Sequence, residues 1–244
     1  MGNEKMVVLA VIGQKGGAGK STLTRAVASA ALIANWSVHI IDADPQTGLV
    51  DWHRDVAAKG GGPLPGDRLT IEAQTSVERI AGRIEELYDA GQTNLVLIDT
   101  KGELTQWTAE IMQEADRLIL PVMATPSDIR AQQKTLRFYE AMRQQAPDTF
   151  PPLAAVITRV PSRASKAVEA SISVIEQTFP VIPTIIMERA AYTTMDAEGL
   201  LHRLLHQRRQ SPDPLVRGQA RPFAEALSEA VDMFNDVMEI EHEA

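Results

Sequence analysis

The sequence predicts a doubly wound α/β domain with a mostly parallel sheet of seven or eight strands flanked by helices. Three observations lead to this prediction. Short apolar runs alternate with longer amphipathic stretches, the apolar runs are nearly continuous, and the first of them leads into a glycine-rich loop. The chain has 244 residues, of which 44% are hydrophobic, so it is long enough to bury one sizeable core. We therefore expect residues 1–244 to form a single domain.

The elements follow one another along the chain. The predicted strands are 6–13, 37–44, 69–74, 94–100, 117–124, 153–160 and 182–188, and the predicted helices include 20–35, 75–90, 127–145 and 163–178. Proline and glycine mark loops at 60–67, 145–152 and 210–214. Residues 215–244 are predicted to form a helical tail. Its apolar stripe should pack on the domain, and consists of Phe223, Leu227, Val231, Phe234 and Met238.

The composition excludes several classes of protein. There is no cysteine, which excludes disulfides, thiolate zinc sites, cysteine nucleophiles and cysteine-held iron–sulfur clusters. No apolar run approaches the roughly 18 residues of a membrane span, and the first residues lack a signal-peptide cleavage pattern, so a cytoplasmic protein is expected. The net charge of −8 argues against a uniformly basic nucleic-acid binder but permits local basic patches.

The stretch GQKGGAGKST (13–22) follows the first strand and predicts a phosphate-binding loop. The strict pattern G-x-x-x-x-G-K-[ST] would place glycine where the chain has Gln14, but its second half is present as Gly19, Lys20 and Ser21. The glycines leave backbone N–H groups free to surround an anion, and the following helix presents its N-terminus to phosphate. Lys20 would bind the terminal phosphates and the Ser21 hydroxyl would bind Mg²⁺. Lys15 has no role in the strict pattern.

Carboxylates follow two further strands. The second strand ends in DADPQ (42–46), and the fourth ends in LVLID (95–99). In a parallel sheet these ends meet at one edge, where ligands bind, and Asp99 is therefore predicted to be the Walker-B acid. Either feature alone is typical of a turn or a helix cap, whereas the combination predicts a nucleotide site. His202 and His206 have the spacing of a metal-binding pair on a helix, but they lack a third ligand and are predicted to be helix surface.

With these motifs the sequence resembles the ParA/MinD ATPases, whose deviant Walker A motif K-G-G-x-G-K-[ST] matches residues 15–21. The D-x-D-P-Q element at 42–46 and Asp99 extend the match. Residues 121–133 and 156–195 are similar to the small ParF-type partition proteins and to the ParA-like VirC proteins of T-DNA transfer. The resemblance implies an Mg²⁺-dependent ATPase that forms a homodimer when it binds ATP.

The resemblance also implies roles for individual residues. Lys15 would be the signature lysine, which reaches across the dimer to the partner's nucleotide and stabilises charge as an arginine finger does. Asp44 would orient the attacking water. Asp42 and Asp99 would support the hydration shell of Mg²⁺, and Ser21 would bind the metal directly. The expected nucleotide contacts are Gly16, Gly17, Ala18, Gly19, Lys20, Ser21, Thr22 and Arg159. Arg159 would contact the adenine, although it could equally well be an ordinary exposed arginine at the end of a strand. Asp128 is a weaker candidate for the same contact.

Two segments depart from the family pattern. Many members continue the Walker-B strand with two prolines, whereas this chain has DTKGE (99–103), so this switch segment is expected to behave differently. MinD-type members carry a basic amphipathic C-terminal helix that binds membranes. Here residues 222–244 contain seven acidic residues and no Lys or Arg. Anionic lipid would repel such a helix, and no membrane binding is expected.

A local basic segment lies inside this acidic chain. Residues 201–221 carry a net charge of +4 because five arginines face one aspartate; the arginines are Arg203, Arg208, Arg209, Arg217 and Arg221. A second basic set is Arg130, Lys134, Arg137, Arg143, Arg163 and Lys166. Either set could be an ordinary solvated helix surface, but both suit non-specific DNA binding by phosphate neutralisation, with two copies of each patch in an ATP dimer.

These observations predict a ParA-type ATPase that partitions or positions a plasmid or other DNA cargo, associated with the nucleoid or a cell pole. The expected partners are a second copy of the chain, non-specific DNA, and a centromere-binding or relaxosome protein. The alternative is a VirC-like recruitment factor for a conjugative or T-DNA transfer complex. A metabolic ligase of similar fold is a third possibility, although the sequence predicts no substrate pocket beyond the nucleotide.

Overall fold

The computed structural model describes residues 6–14, 17, 19–147 and 149–240. Within them, six parallel strands form one sheet: β1 (Val7–Val11), β2 (Ser37–Asp42), β3 (Arg68–Ala73), β4 (Leu95–Asp99), β5 (Arg117–Met123) and β6 (Leu153–Thr158). Their order across the sheet is β3-β2-β4-β1-β5-β6. The parallel α/β class predicted from the sequence is confirmed.

Ten helices of the described chain surround this sheet. They are α1 (Lys20–Ile33), α2 (Gly48–Ala58), α3 (Val77–Ala90), α4 (Gln106–Gln113), α5 (Pro126–Arg143), α6 (Lys166–Thr178), α7 (Ala190–Glu198), α8 (Leu201–Gln210), α9 (Pro214–Gly218) and α10 (Ala220–Glu239).

The predicted count of seven or eight strands is wrong, because residues 182–188 do not form a regular strand. This segment runs beside β6, where the Ile182 N–H donates to the Ala155 carbonyl at 3.1 Å and the Ile186 N–H donates to the Ile157 carbonyl at 2.9 Å. Only isolated bridges form along it. In a regular ladder the Thr184 N–H between these two donors would also face β6, but it donates instead to the Asp236 Oδ2 at 2.8 Å, so the ladder is interrupted.

Side chains of each strand alternate between two cores. Leu9 and Val11 of β1 point into a core shared with α1, α7, α8 and α10, while Val8 and Ala10 point into a second core with α3, α4, α5 and α6. The chain therefore covers the sheet with helices on both faces. This explains why the apolar runs of its strands are nearly continuous.

The helix α10 packs against α1 and α8 on the first face. Small residues such as Ala26 of α1 and Ala230 of α10 are fully buried in this core, and small side chains at a contact let two helices approach closely. In the apolar stripe, Phe223, Leu227 and Phe234 are buried, and Val231 and Met238 are partly buried against the same core.

The register of the sheet sets the level of the strand ends. Asp99 at the end of β4 pairs with Val11 of β1 on one side and with Asp42 of β2 on the other. The two carboxylates therefore reach the same edge of the sheet as the glycine-rich loop that follows β1. This edge is the place that the sequence predicted for a ligand.

Candidate functional site

The glycine-rich loop leads into α1 through glycines in left-handed conformations. Gly17 has φ 78° and Gly19, the N-cap of α1, has φ 101°, values that residues with a Cβ rarely adopt. The helix starts immediately afterwards, with the Leu23 N–H bonded to the Gly19 carbonyl at 2.8 Å. The predicted positions Lys15, Gly16 and Ala18 lie outside the described residues. The described part of the loop presents a helix N-terminus to the site.

The Asp99 carboxylate joins β4 to the first turns of α1. The Ser21 hydroxyl donates to Oδ2 at 2.7 Å, and the Thr24 hydroxyl donates to Oδ1 at 3.0 Å. Burial raises the pKa of Asp99 to about 6, although the hydrogen bonds from Ser21 and Thr24 and the charge of Lys20 oppose the rise. The sequence analysis missed Thr24, which lies three residues after Ser21 and so on the same face of the helix.

Lys20 lies close to these carboxylates while it is largely removed from water. Only 8% of the surface of Lys20 is exposed to solvent. Burial lowers the pKa of Lys20, and the negative charges of Asp99 and Asp44 raise it. A buried ammonium at a helix N-terminus attracts anions strongly, because solvent screens it poorly.

The two aspartates after β2 differ in their surroundings. Asp42 is fully buried, and its Oδ2 accepts the backbone N–H groups of Leu49 at 2.8 Å and of Val50 at 3.1 Å, so it anchors the start of α2. Burial raises the pKa of Asp42. Asp44 is half-buried, and its Oδ1 accepts the Gln46 N–H at 2.9 Å in an Asx turn. Asp42 thus shapes the loop that holds Asp44.

An open cleft with a volume of about 210 Å³ lies between the start of α1 and residues 186–196. Thr22 and Arg159 both line it. Arg159 is exposed, with a left-handed φ of 54°, and the buried Thr158 Oγ1 beside it has no hydrogen-bond partner among the described residues. Asp128 does not line this cleft; it is buried, and its Oδ2 accepts the Met123 N–H at 2.7 Å.

The side chains at this edge of the sheet suit a metal ion that takes its other ligands from phosphate and water. In the described part of the chain, no group of three or more His, Asp or Glu side chains could hold a metal ion alone. Mg²⁺ typically binds one or two protein groups together with phosphates and water, and Ser21 and Asp99 fit that pattern. The two histidines form no metal pair: His202 is buried, with its Nε2 2.9 Å from Asp67, while His206 is exposed. The prediction that His202 is helix surface is wrong.

The five arginines predicted to bind DNA differ in their exposure to solvent. Arg203 is buried, and its guanidinium donates to the backbone carbonyls of Gly60 and Glu198, so the prediction that it contacts DNA is wrong. Arg208 stacks over the Phe223 ring at 5.1 Å and pairs with Glu198. Three arginines remain exposed, namely Arg209, Arg217 and Arg221, of which Arg221 pairs with Glu225 at 2.7 Å.

Other surfaces of the molecule bear on binding. Arg130, Lys134 and Arg137 are exposed on one face of α5. Across the described residues, none of the helices is both long enough and apolar enough to cross a bilayer.

Comparisons with known proteins match nearly the whole chain. The family model described as VirC1 protein matches residues 6–243. Protein virC1 of Rhizobium radiobacter is 27% identical over 93% of this chain and 95% of its own length. Maintenance of carboxysome distribution protein A of Gloeobacter kilaueensis is 32% identical over 79% of this chain and 82% of its own length. The solved ATP complex of a McdA variant from Cyanothece has a similar fold, with a TM-score of 0.65 and 18% identity over 93% of this chain and 96% of that one.

Proposed function

Because the chain belongs to the VirC1 family of ParA/MinD-type P-loop proteins, we propose that it is an Mg²⁺-dependent ATPase that dimerises on ATP and positions a DNA cargo. The observation that carries the proposal is the arrangement around Asp99. Its carboxylate holds the hydroxyls of Ser21 and Thr24 at the start of α1, next to the buried Lys20. Serine, lysine and an acidic strand end in this relation are the parts that a P-loop ATPase uses to bind Mg²⁺ and phosphates.

Each part has a role in this proposal. Bound Mg²⁺ would neutralise charge on the phosphates, and Ser21 and Asp99 are the residues that would hold it. Lys20 binds the terminal phosphates from within the site. Asp44, on a loop anchored through Asp42, orients the attacking water. Lys15 acts from the partner subunit, so hydrolysis requires the dimer.

The cleft beside α1 would take the nucleoside. Thr158 supports this assignment, since its buried hydroxyl has no hydrogen-bond partner among the described residues and lines the cleft next to Arg159. A buried polar group without a partner is costly, and a bound base or sugar would remove that cost. Thr22 lines the same cleft from the first turn of α1.

DNA binding would use the exposed arginines that the fold leaves available. Arg209, Arg217 and Arg221 extend from the α8–α10 region, and the ATP dimer would present two copies of each along one duplex. Binding of this kind associates the protein with the nucleoid. The cargo is recognised through a centromere-binding partner.

A second candidate function rests on the family match itself. The VirC1 family model covers residues 6–243. The resemblance to VirC proteins stated in the sequence analysis implies a role in T-DNA transfer. In that case the chain recruits a relaxosome or receptor protein, and ATP hydrolysis is minor.

The test is a DNA mobility-shift titration over several salt concentrations with ATP, with ADP and without nucleotide. We expect DNA binding only in the presence of ATP, because dimerisation doubles the number of contacts with DNA phosphates. Arg209→Ala removes two contacts per dimer, so the slope of log affinity against log salt should become shallower by about 1.8. Arg79→Ala removes the same charge from the exposed surface of α3, on the opposite face of the sheet, and is the matched control.

Two results would contradict the proposal. Equal affinity in all three nucleotide states would remove the ATP switch. A complete absence of DNA binding, with normal ATP binding, would favour the recruitment function.

A further inference from the structure

Helix α5 contacts the phosphate loop through two buried polar side chains. The Gln14 backbone N–H donates to the Thr135 Oγ1 at 3.2 Å, and this hydroxyl donates to the Gln132 Oε1 at 3.1 Å. Gln132 and Thr135 are both 0% exposed. Buried polar side chains of this kind need every hydrogen bond satisfied, and apolar residues would pack such a helix face at lower cost.

The Gln132 amide also lies against the backbone of the loop at Gly13. A Cβ added to Gly13 would stand only 3.3 Å from the Gln132 Oε1 and 3.4 Å from its Nε2. The Nε2 is buried and has no hydrogen-bond partner among the described residues. The structure thus places a free N–H donor at the point where the loop leaves β1.

The opposite face of α5 is basic and exposed. Arg130, Lys134 and Arg137 are spaced so that they share one side of the helix, whereas Gln132 and Thr135 occupy the other. Within the described residues, no carboxylate lies within 4 Å of these three cations. One helix therefore carries unpaired positive charge outside and polar contacts to the phosphate loop inside.

We propose that Gln132 and Thr135 are positioning residues that set the conformation of residues 13–14 for hydrolysis, and that α5 transmits polyanion binding on its basic face to this loop. When nucleotide binds, the free Nε2 donates to the backbone of residues 13–14, and the helix and these residues then move as one unit. A second DNA contact on the outer face of α5, separate from the α8–α10 arginines on the other face of the sheet, shifts α5 and thereby these residues. The inference rests on the proposed ATPase function and adds the route by which DNA regulates it.

The decisive variant is Gln132→Met, which keeps the length of the side chain but removes both hydrogen-bonding groups. We expect kcat to fall at least about tenfold and the stimulation by DNA to be lost, while ATP affinity and DNA affinity stay within about threefold of the parent. The variant removes a buried donor that lacks a partner, but it also removes the acceptor of the Thr135 hydroxyl, and these opposite effects should keep the midpoint of unfolding close to that of the parent. Gln133→Met, at the next position of the same helix, is the control and should behave like the parent.

Thr135→Val serves as a second variant, since it removes the hydroxyl that links the Gln14 N–H to the Gln132 Oε1 while it keeps the shape of the side chain. Parent-like turnover and DNA stimulation in folded Gln132→Met and Thr135→Val proteins would overturn the inference. A lower unfolding midpoint with a matching loss of ATP affinity would mean a purely structural role, and would overturn it too.

A parent protein without ATPase activity would refute the proposed function instead. Amide hydrogen exchange at residues 13–14 with a non-hydrolysable ATP analogue, with and without DNA, then decides the inference. Faster exchange in Gln132→Met than in the parent, with DNA slowing only the parent, supports the positioning role. Equal exchange in the two proteins overturns it.

Discussion

The substitution Asp99→Asn is expected to stabilise the protein without nucleotide at neutral pH. Asp99 is 2% exposed, and an ionised carboxylate in such a place has lost most of its hydration. Asparagine keeps an oxygen that can accept from Ser21 or Thr24 but carries no charge. A carboxylate that we propose as a metal-binding residue would therefore cost stability when the metal is absent.

The magnitude follows from the pKa of this group. The pKa of Asp99 rises from 3.8 to about 6 on folding. The folded state binds this proton more tightly, so the penalty is present above pH 6 and disappears as pH falls through the interval between the two values. It amounts to about 3 kcal/mol near pH 8 and about 1 kcal/mol near pH 4.5. The attraction between Asp99 and Lys20 is already included in these figures, because it is one of the interactions that lower the pKa of Asp99.

Urea unfolding of the parent and of Asp99→Asn at several pH values measures the difference directly. Burial lowers the pKa values of His39 and His53, which opposes the trend in each protein but cancels in the difference. Asp89→Asn, on the exposed surface of α3, is the control. A free-energy difference between parent and Asp99→Asn that is the same near pH 8 and near pH 4.5 would refute the reasoning.

Two further predictions concern catalysis. Lys20→Ala should abolish ATP binding, because it removes the buried cation at the start of α1, whereas Lys15→Ala should bind ATP but neither dimerise nor hydrolyse it. Nucleotide titration and sedimentation distinguish the two variants. A Lys15→Ala protein that dimerises and turns over normally would disprove the signature-lysine role. Asp44→Ala should bind ATP and accumulate as a dimer, since it removes water orientation and leaves the phosphate loop intact; loss of ATP affinity in this variant would instead assign Asp44 to structure or metal support.

Local pattern was enough to predict most of the fold. The six strands and the helices α1, α3, α5 and α6 were predicted because apolar runs and helical periodicity depend on nearby residues alone. Residues 182–188 have the same apolar character, and the prediction failed there because the Thr184 N–H, which a regular ladder would direct at β6, donates to the Asp236 side chain of α10 instead. Whether a segment beside a strand joins the ladder depends on its hydrogen bonds as well as its hydrophobicity.

The site was predicted less completely, for a related reason. The positions of Ser21 and Asp99 follow from motif spacing, and the structure places them 2.7 Å apart. The burial of Arg203 could not be predicted, because its partner, the Gly60 carbonyl, lies far away in the sequence. The same holds for Gln132, whose contact with Gly13 depends on how α5 crosses the sheet. Charge patterns in a sequence do not show which charges the fold uses internally.

The position of β1 in the sheet determines the order in which the parts of the site are completed during synthesis. β1 is made first, yet the strands on its two sides, β4 and β5, begin only at Leu95 and Arg117. The helix α1, which follows the glycine-rich loop, packs against α10, and α10 begins only at Ala220. A nascent chain therefore carries the phosphate loop long before the sheet can support it. The residues of the proposed nucleotide site leave the ribosome early and reach their native surroundings late.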